Sequence, residues 1–180
     1  MPKILYLHGF ASCGVGNKST TLKQYFGASN VLCPDLDPSP DKAIASIEKL
    51  IENLEDVLLI GSSLGGFYAT YLAEKFGLKA VLINPSTQPW ETLSSYVGVQ
   101  KRYCDNVPFD FKEQYLQALL PLKKEPSRGK YLLLLQSEDE VLDYTKAQSF
   151  YNKHRVIIEV GGNHRFENID DYLSMIDNFR

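Results

Sequence analysis

The chain is sparing in the residues that build staples and metal centres. Its 180 residues include three cysteines, three histidines and a single tryptophan. Cys13, Cys33 and Cys104 are odd in number and show no Cys-x-x-Cys spacing, which disfavours a disulfide framework and a structural zinc site. They are expected to be buried or half-buried free thiols of a cytosolic protein. Three histidines without a His-Glu-x-x-His pattern offer a catalytic zinc no ligand set, so no metal is expected. Positive charge is not in excess either: 19 Lys and Arg against 22 Asp and Glu leave a net charge of −3, with an isoelectric point of about 5.6. Lacking a basic stripe that could neutralise phosphates, the protein is not expected to have nucleic acid as its main partner. The longest apolar runs, such as residues 131–135, fall far short of the ~20 residues needed to span a bilayer. Met1-Pro2-Lys3 leads directly into a short apolar strand, so no secretory signal is expected and the location is expected to be cytoplasmic.

What is present has the composition of a globular domain, with 44% hydrophobic and 23% charged residues. The length fits one domain, 1–180, able to bury roughly 70% of the surface its unfolded chain exposes. Six short apolar runs, at 3–7, 30–33, 57–60, 80–83, 131–135 and 156–160, read as strands. Most are continuous Val/Ile/Leu runs, as strands covered on both faces require. Helical periods lie between them at 18–26, 41–54, 64–76, 145–153 and 170–178. The second puts Ala43, Ile44, Ile47, Leu50, Ile51 and Leu54 on one face behind a Ser39-Pro40 start, and the third stops at Gly77. Alternation of this kind predicts a doubly wound α/β domain: a mostly parallel sheet with helices on both faces. Residues 86–129 break the rhythm. That stretch carries Trp90, Tyr96, Tyr103, Phe109, Phe111 and Tyr115, and reads either as a lid whose aromatics line a ligand site or as an extended crossover whose aromatics pack on the sheet.

The chemistry is concentrated after the strands. Gly61-Ser62-Ser63-Leu64-Gly65-Gly66 sits between a strand and a helix, the setting of a nucleophile elbow centred on Ser63. Gly61 and Gly65 are needed there because a strained turn brings backbones too close for a Cβ. A nucleophilic serine needs a base and an orienting acid. The strand at 131–135 runs into Gln136-Ser137-Glu138-Asp139-Glu140, where Asp139 is the first choice of acid, Glu138 the second and Glu140 the third. The last strand runs into Gly161-Gly162-Asn163-His164, placing His164 on the same sheet edge. His154 is the rival base, but it precedes its strand and faces the opposite edge. Ser63, Asp139 and His164 follow the chain order of α/β-hydrolases. The turn His8-Gly9-Phe10 after the first strand can offer the Phe10 N–H to an oxyanion, and Leu64 can offer the second. His8 itself is expected to brace the turn.

Together, Leu7-His8-Gly9-Phe10, Cys33-Pro34-Asp35-Leu36, Gly61 to Gly66, Asn84-Pro85 and Gly162-Asn163-His164 resemble the YqiA/YcfP (UPF0227-like) family of small bacterial α/β-hydrolase esterases over nearly the whole chain. The resemblance implies a minimal α/β-hydrolase fold lacking the first strands of larger relatives, with a roughly six-stranded sheet and a small lid-like insertion. It implies a cytoplasmic serine esterase without cofactor, acting on carboxylic esters and extending to acyl-CoA thioesters, with Ser63, Asp139 and His164 as the triad. Trp90 and Tyr96 are candidate substrate contacts, and either a monomer or a homodimer is compatible with the sequence. An acyl-thioesterase or small serine peptidase on the same site, or a binding protein that keeps the fold without turnover, are the alternatives. So little covering material leads us to expect a shallow site suited to short or flexible acyl groups.

Overall fold

A computed structural model describes residues 2–180; Met1, part of the lead into the first strand, lies outside them. The described residues form a parallel sheet of six strands in the order β2-β1-β3-β4-β7-β8. These are β1 (Lys3–Leu7), β2 (Val31–Leu32), β3 (Val57–Ser62), β4 (Lys79–Ile83), β7 (Lys130–Gln136) and β8 (Arg155–Glu159). Successive side chains of a strand point to opposite faces, and the core divides accordingly. Leu5 and Leu7 of β1 join Leu59 and Leu133 on one face, under α2 (Pro40–Glu52), α3 (Leu64–Phe76) and α6 (Tyr144–Phe150). Ile4 and Tyr6 join Leu58 and Leu132 on the other, under α1 (Asn17–Phe26) and α7 (Leu173–Phe179). This double burial is why the strands read as unbroken apolar runs. The expected face of α2 is the one that docks: Ala43, Ile44, Ile47 and Ile51 are buried. Each such isoleucine contributes roughly 1.5–3 kcal/mol on burial.

The sheet reverses its winding direction between β1 and β3. In an open parallel sheet that is the point where a crevice opens outside the carboxyl ends of the strands. The loop after β1 and the turn after β3 therefore face each other across it.

Residues 86–129 contain α4 (Pro89–Thr92), an antiparallel hairpin of β5 (Gly98–Lys101) and β6 (Pro108–Phe111), and α5 (Glu113–Leu119). The hairpin is not apparent from the sequence, because two four-residue strands are too short for their alternation to stand out. The insertion's far end is pinned to α3: the Glu74 carboxylate accepts the N–H groups of Ser127 (3.0 Å), Arg128 (2.8 Å) and Gly129 (2.9 Å). Among the described residues no helix is long and apolar enough to cross a membrane.

The cysteine expectation is corrected in one respect. Cys33 is a half-buried free thiol, but Cys13 and Cys104 are joined in a disulfide, with Cα atoms 6.2 Å apart. Spacing arguments read neighbours in sequence, and this pair is separated by 91 residues. The hairpin turn brings Cys104 onto the loop after β1. Asp105 lies beside the pair and is ion-paired to Arg102.

Candidate active site

Ser63 alone separates β3 from α3, and its backbone is at φ 55°, ψ −120°. Such a conformation costs on the order of 1–3 kcal/mol for a residue with a side chain and persists only where the surroundings impose it. The surroundings here are close. A Cβ added to Gly61 would lie 2.4 Å from the Gly65 carbonyl oxygen, and one added to Gly65 would lie 2.0 Å from that of Leu7. Both elbow glycines are thus required by approach of backbone to backbone, and the turn lifts Ser63 clear of the sheet edge.

The structure brings Ser63, His164 and Asp139 into one hydrogen-bonded chain. Ser63 Oγ lies 3.0 Å from His164 Nε2, and His164 Nδ1 lies 2.8 Å from Asp139 Oδ2 and 3.0 Å from Oδ1. With Nδ1 carrying the proton toward the carboxylate, Nε2 is left as the acceptor for the serine hydroxyl. Asp139 Oδ1 also accepts the N–H groups of Val141 (2.9 Å) and Leu142 (2.8 Å). The Asp139 side chain is 2% exposed and that of His164 19%. Burying a carboxylate is unfavourable unless its oxygens are hydrogen-bonded, and here both are.

The neighbouring acids separate cleanly. Glu138 is exposed, and its backbone N–H donates to the Gly161 carbonyl at 3.1 Å. Glu140, considered from the sequence only as a third choice of acid, instead accepts the His164 backbone N–H at 2.9 Å. That bond, more than any other influence, holds the Glu140 carboxyl below its ordinary range. A carboxylate four residues beyond the end of β7 and close to a histidine loop is a signal that sequence reading can use only once the loop's position is known.

The loop after β1, where the sequence suggests an oxyanion donor, is equally close. A Cβ on Gly9 would lie 3.2 Å from Ser63 Cβ, so the loop after β1 runs beside the serine. Neither the Phe10 nor the Leu64 N–H has a hydrogen-bond partner among the described residues. His8 braces the turn as expected: it is buried, Nδ1 bonds the Gly9 carbonyl at 2.8 Å, and Nε2 accepts the Leu36 N–H at 3.0 Å. Burial pushes its pKa below the usual value, consistent with a neutral ring that accepts a hydrogen bond. His154 is engaged elsewhere, with Nε2 2.9 Å from the Pro126 carbonyl and its ring edge-on to Tyr131.

Trp90 and Tyr96, the expected substrate contacts, each pack against another ring. Tyr96 stands edge-on to Phe10 at 5.4 Å, and Trp90 stands edge-on to Phe67 of α3 at 6.1 Å.

A six-stranded parallel sheet with a strand–serine–helix elbow after β3, an acid after β7 and a histidine after β8 is the architecture of the α/β-hydrolase fold class. Residues 3–180 match the model of Uncharacterised protein family (UPF0227), and the chain belongs to that family. A UPF0227 protein named YcfP, from Salmonella paratyphi A, is 25% identical over 98% of both chains. Among solved structures, mouse alpha/beta hydrolase domain-containing protein 10 superposes with a TM-score of 0.77 at 15% identity, covering 99% of this chain and 89% of that one. The monoacylglycerol lipase of Paleococcus ferrophilus gives 0.74 at 14% identity, over 99% and 95%. The family and the fold implied by the motifs are therefore both borne out.

Proposed function

We propose that this protein is a serine hydrolase of carboxylic esters, working through an acyl-enzyme on Ser63. The observation that carries the reading is the unbroken chain from Ser63 Oγ through His164 to Asp139, with the serine on a strained elbow. His164 takes the hydroxyl proton at Nε2 as Oγ attacks the acyl carbonyl. Asp139 holds the ring in the tautomer that leaves Nε2 free, and stabilises the imidazolium that forms. The N–H groups of Phe10 and Leu64 receive the developing oxyanion; each such donor is worth about 3–4 kcal/mol in the transition state. His164 then protonates the departing alcohol, and a water molecule deprotonated by the same imidazole releases the acid and restores Ser63. No step calls on a cofactor. Acyl-CoA thioesters enter by the same chemistry, with a thiol as leaving group. The substrate is then a small acyl ester or thioester, and a cytoplasmic location suits that reading.

Hydrolysis of matched p-nitrophenyl, thioester and anilide acetates by wild type and Ser63→Ala tests this. Wild type should favour the oxyester and thioester over the amide, and the substitution should lower kcat by at least about 10³-fold. Full turnover by Ser63→Ala would remove the assignment, and a preference for the anilide would make the protein an amidase.

A further inference from the structure

The loop that delivers His164 has little reason to hold still. It leaves β8 through Gly161 and Gly162, both at positive φ, 96° and 78°, where glycine allows many conformations. Its backbone is nevertheless held from outside by side chains. Asn84 Nδ2 donates to the carbonyl oxygens of Asn163 (3.0 Å) and His164 (3.3 Å). The Asn163 N–H donates to Gln136 Oε1 at 2.9 Å, and the His164 N–H donates to Glu140 Oε2 at 2.9 Å. Lys18 of α1 donates to the Arg165 carbonyl. All four backbone polar groups of Asn163 and His164 are thus taken by side chains from other elements.

The two amides are themselves locked. Asn84, just past β4, is 3% exposed and sits at φ 40°. Gln136, the last residue of β7, is 2% exposed. Its N–H donates to Asn84 Oδ1 at 3.0 Å, and its Nε2 donates to Glu159 (2.9 Å) and Asn168 (2.8 Å). A Cβ on Gly162 would lie 2.1 Å from Gln136 Cδ, so the loop lies flat on this amide. Burying two amides at the ends of otherwise apolar strands is unfavourable unless every polar atom is used. Here their groups are directed at the residues that carry the imidazole.

We propose that Asn84, Gln136 and Glu140 form a clamp of positioning residues that sets His164 Nε2 against Ser63 Oγ. The proposal rests on the serine-hydrolase reading. A displacement of about 1 Å at a catalytic group can cost on the order of 10²-fold in rate, so the clamp acts on kcat and leaves substrate binding alone.

Asn84→Asp tests it with no change of size. The oxygen facing Gln136 is kept, but two N–H donors give way to an oxygen opposed to two carbonyl oxygens. With p-nitrophenyl acetate, kcat should fall about 10- to 100-fold while KM changes less than about twofold. Added to His164→Ala, the same substitution should cause no further loss, because no imidazole remains to be positioned. A folded Asn84→Asp with wild-type kcat, or an equal loss in the His164→Ala background, would overturn the clamp. Should Asn84→Asp fail to fold by circular dichroism, the exposed Glu140→Ala reads the same clamp. It should lower kcat about fivefold, the effect of one hydrogen bond, and an unchanged kcat there would equally overturn it. Ser63→Ala, measured alongside, separates the two levels: if it remains active, the hydrolase reading falls; if it is dead while Asn84→Asp is normal, only the clamp falls.

Discussion

The two loops that flank Ser63 are held by opposite means. The loop after β8, carrying His164, is tied inward to buried amides at the ends of β4 and β7. The loop after β1, carrying Phe10, is tied outward to the 86–129 insertion. The Phe10 ring stands edge-on to Tyr96, Phe109 and Phe111, the Tyr103 N–H donates to the Ala11 carbonyl at 2.8 Å, and Cys13 is bonded to Cys104. In the proposed mechanism the proton-transfer geometry therefore rests on the sheet core. Oxyanion binding instead rests on a segment that exposes Val99 (75%) and Tyr103 (73%) to solvent. Local stability follows burial, so the Phe10 side is the one expected to loosen first.

The largest expected effect lies on the inward-held side. Asp139→Asn should lower kcat about 10⁴-fold by favouring the wrong imidazole tautomer. Glu138→Gln, exposed and clear of His164, should stay within about twofold. The reverse pattern in steady-state kinetics would exchange the two acids.

Next comes the outward tie. Removing a disulfide that closes a loop of this length costs about 2–5 kcal/mol, so Cys104→Ser should lower stability by that amount in urea unfolding without reductant. Adding reductant should bring wild type down to the variant. Identical unfolding of wild type with and without reductant would show that sulfur does not make the tie.

The smallest effect is a pH dependence within the same loop. Burial, partly offset by the Gly9 bond, depresses the His8 pKa below its ordinary 6.5. The unfolded chain thus takes up the proton first, and stability contributed by neutral His8 is lost as pH falls below about 6.5. Protonation would also end the acceptance of the Leu36 N–H. His8→Gln should show a shallower loss of stability than wild type between neutral pH and pH 5 in denaturant titrations, and equal slopes would remove His8 from the account.

Much of this was legible in the sequence where burial writes a periodic pattern. All six sheet strands lie where continuous apolar runs predict them, and α3 spans the expected residues from Leu64 to Phe76. Ser63, His164 and Asp139 were legible because each follows a strand, which places all three on one edge. Asp139 is already the first choice over Glu138 in the sequence, but which of two adjacent acids reaches His164 shows only in the loop geometry, where Asp139 makes the bond. The hairpin was hidden by the shortness of its strands, and the Cys13–Cys104 bond by its 91-residue separation. Asn84 and Gln136 were visible as letters of the sequence. An amide at the end of an apolar strand shows its purpose only when the group it bonds arrives from 79 or 27 residues away.

The central claim is that Ser63 is a nucleophile activated by His164. Peptide mapping by mass spectrometry after treatment with a fluorophosphonate probe tests it most directly. The account predicts a single adduct on Ser63, formed by wild type, strongly slowed in His164→Ala and absent from Ser63→Ala. An adduct on another residue, or labelling that ignores both substitutions, would contradict it.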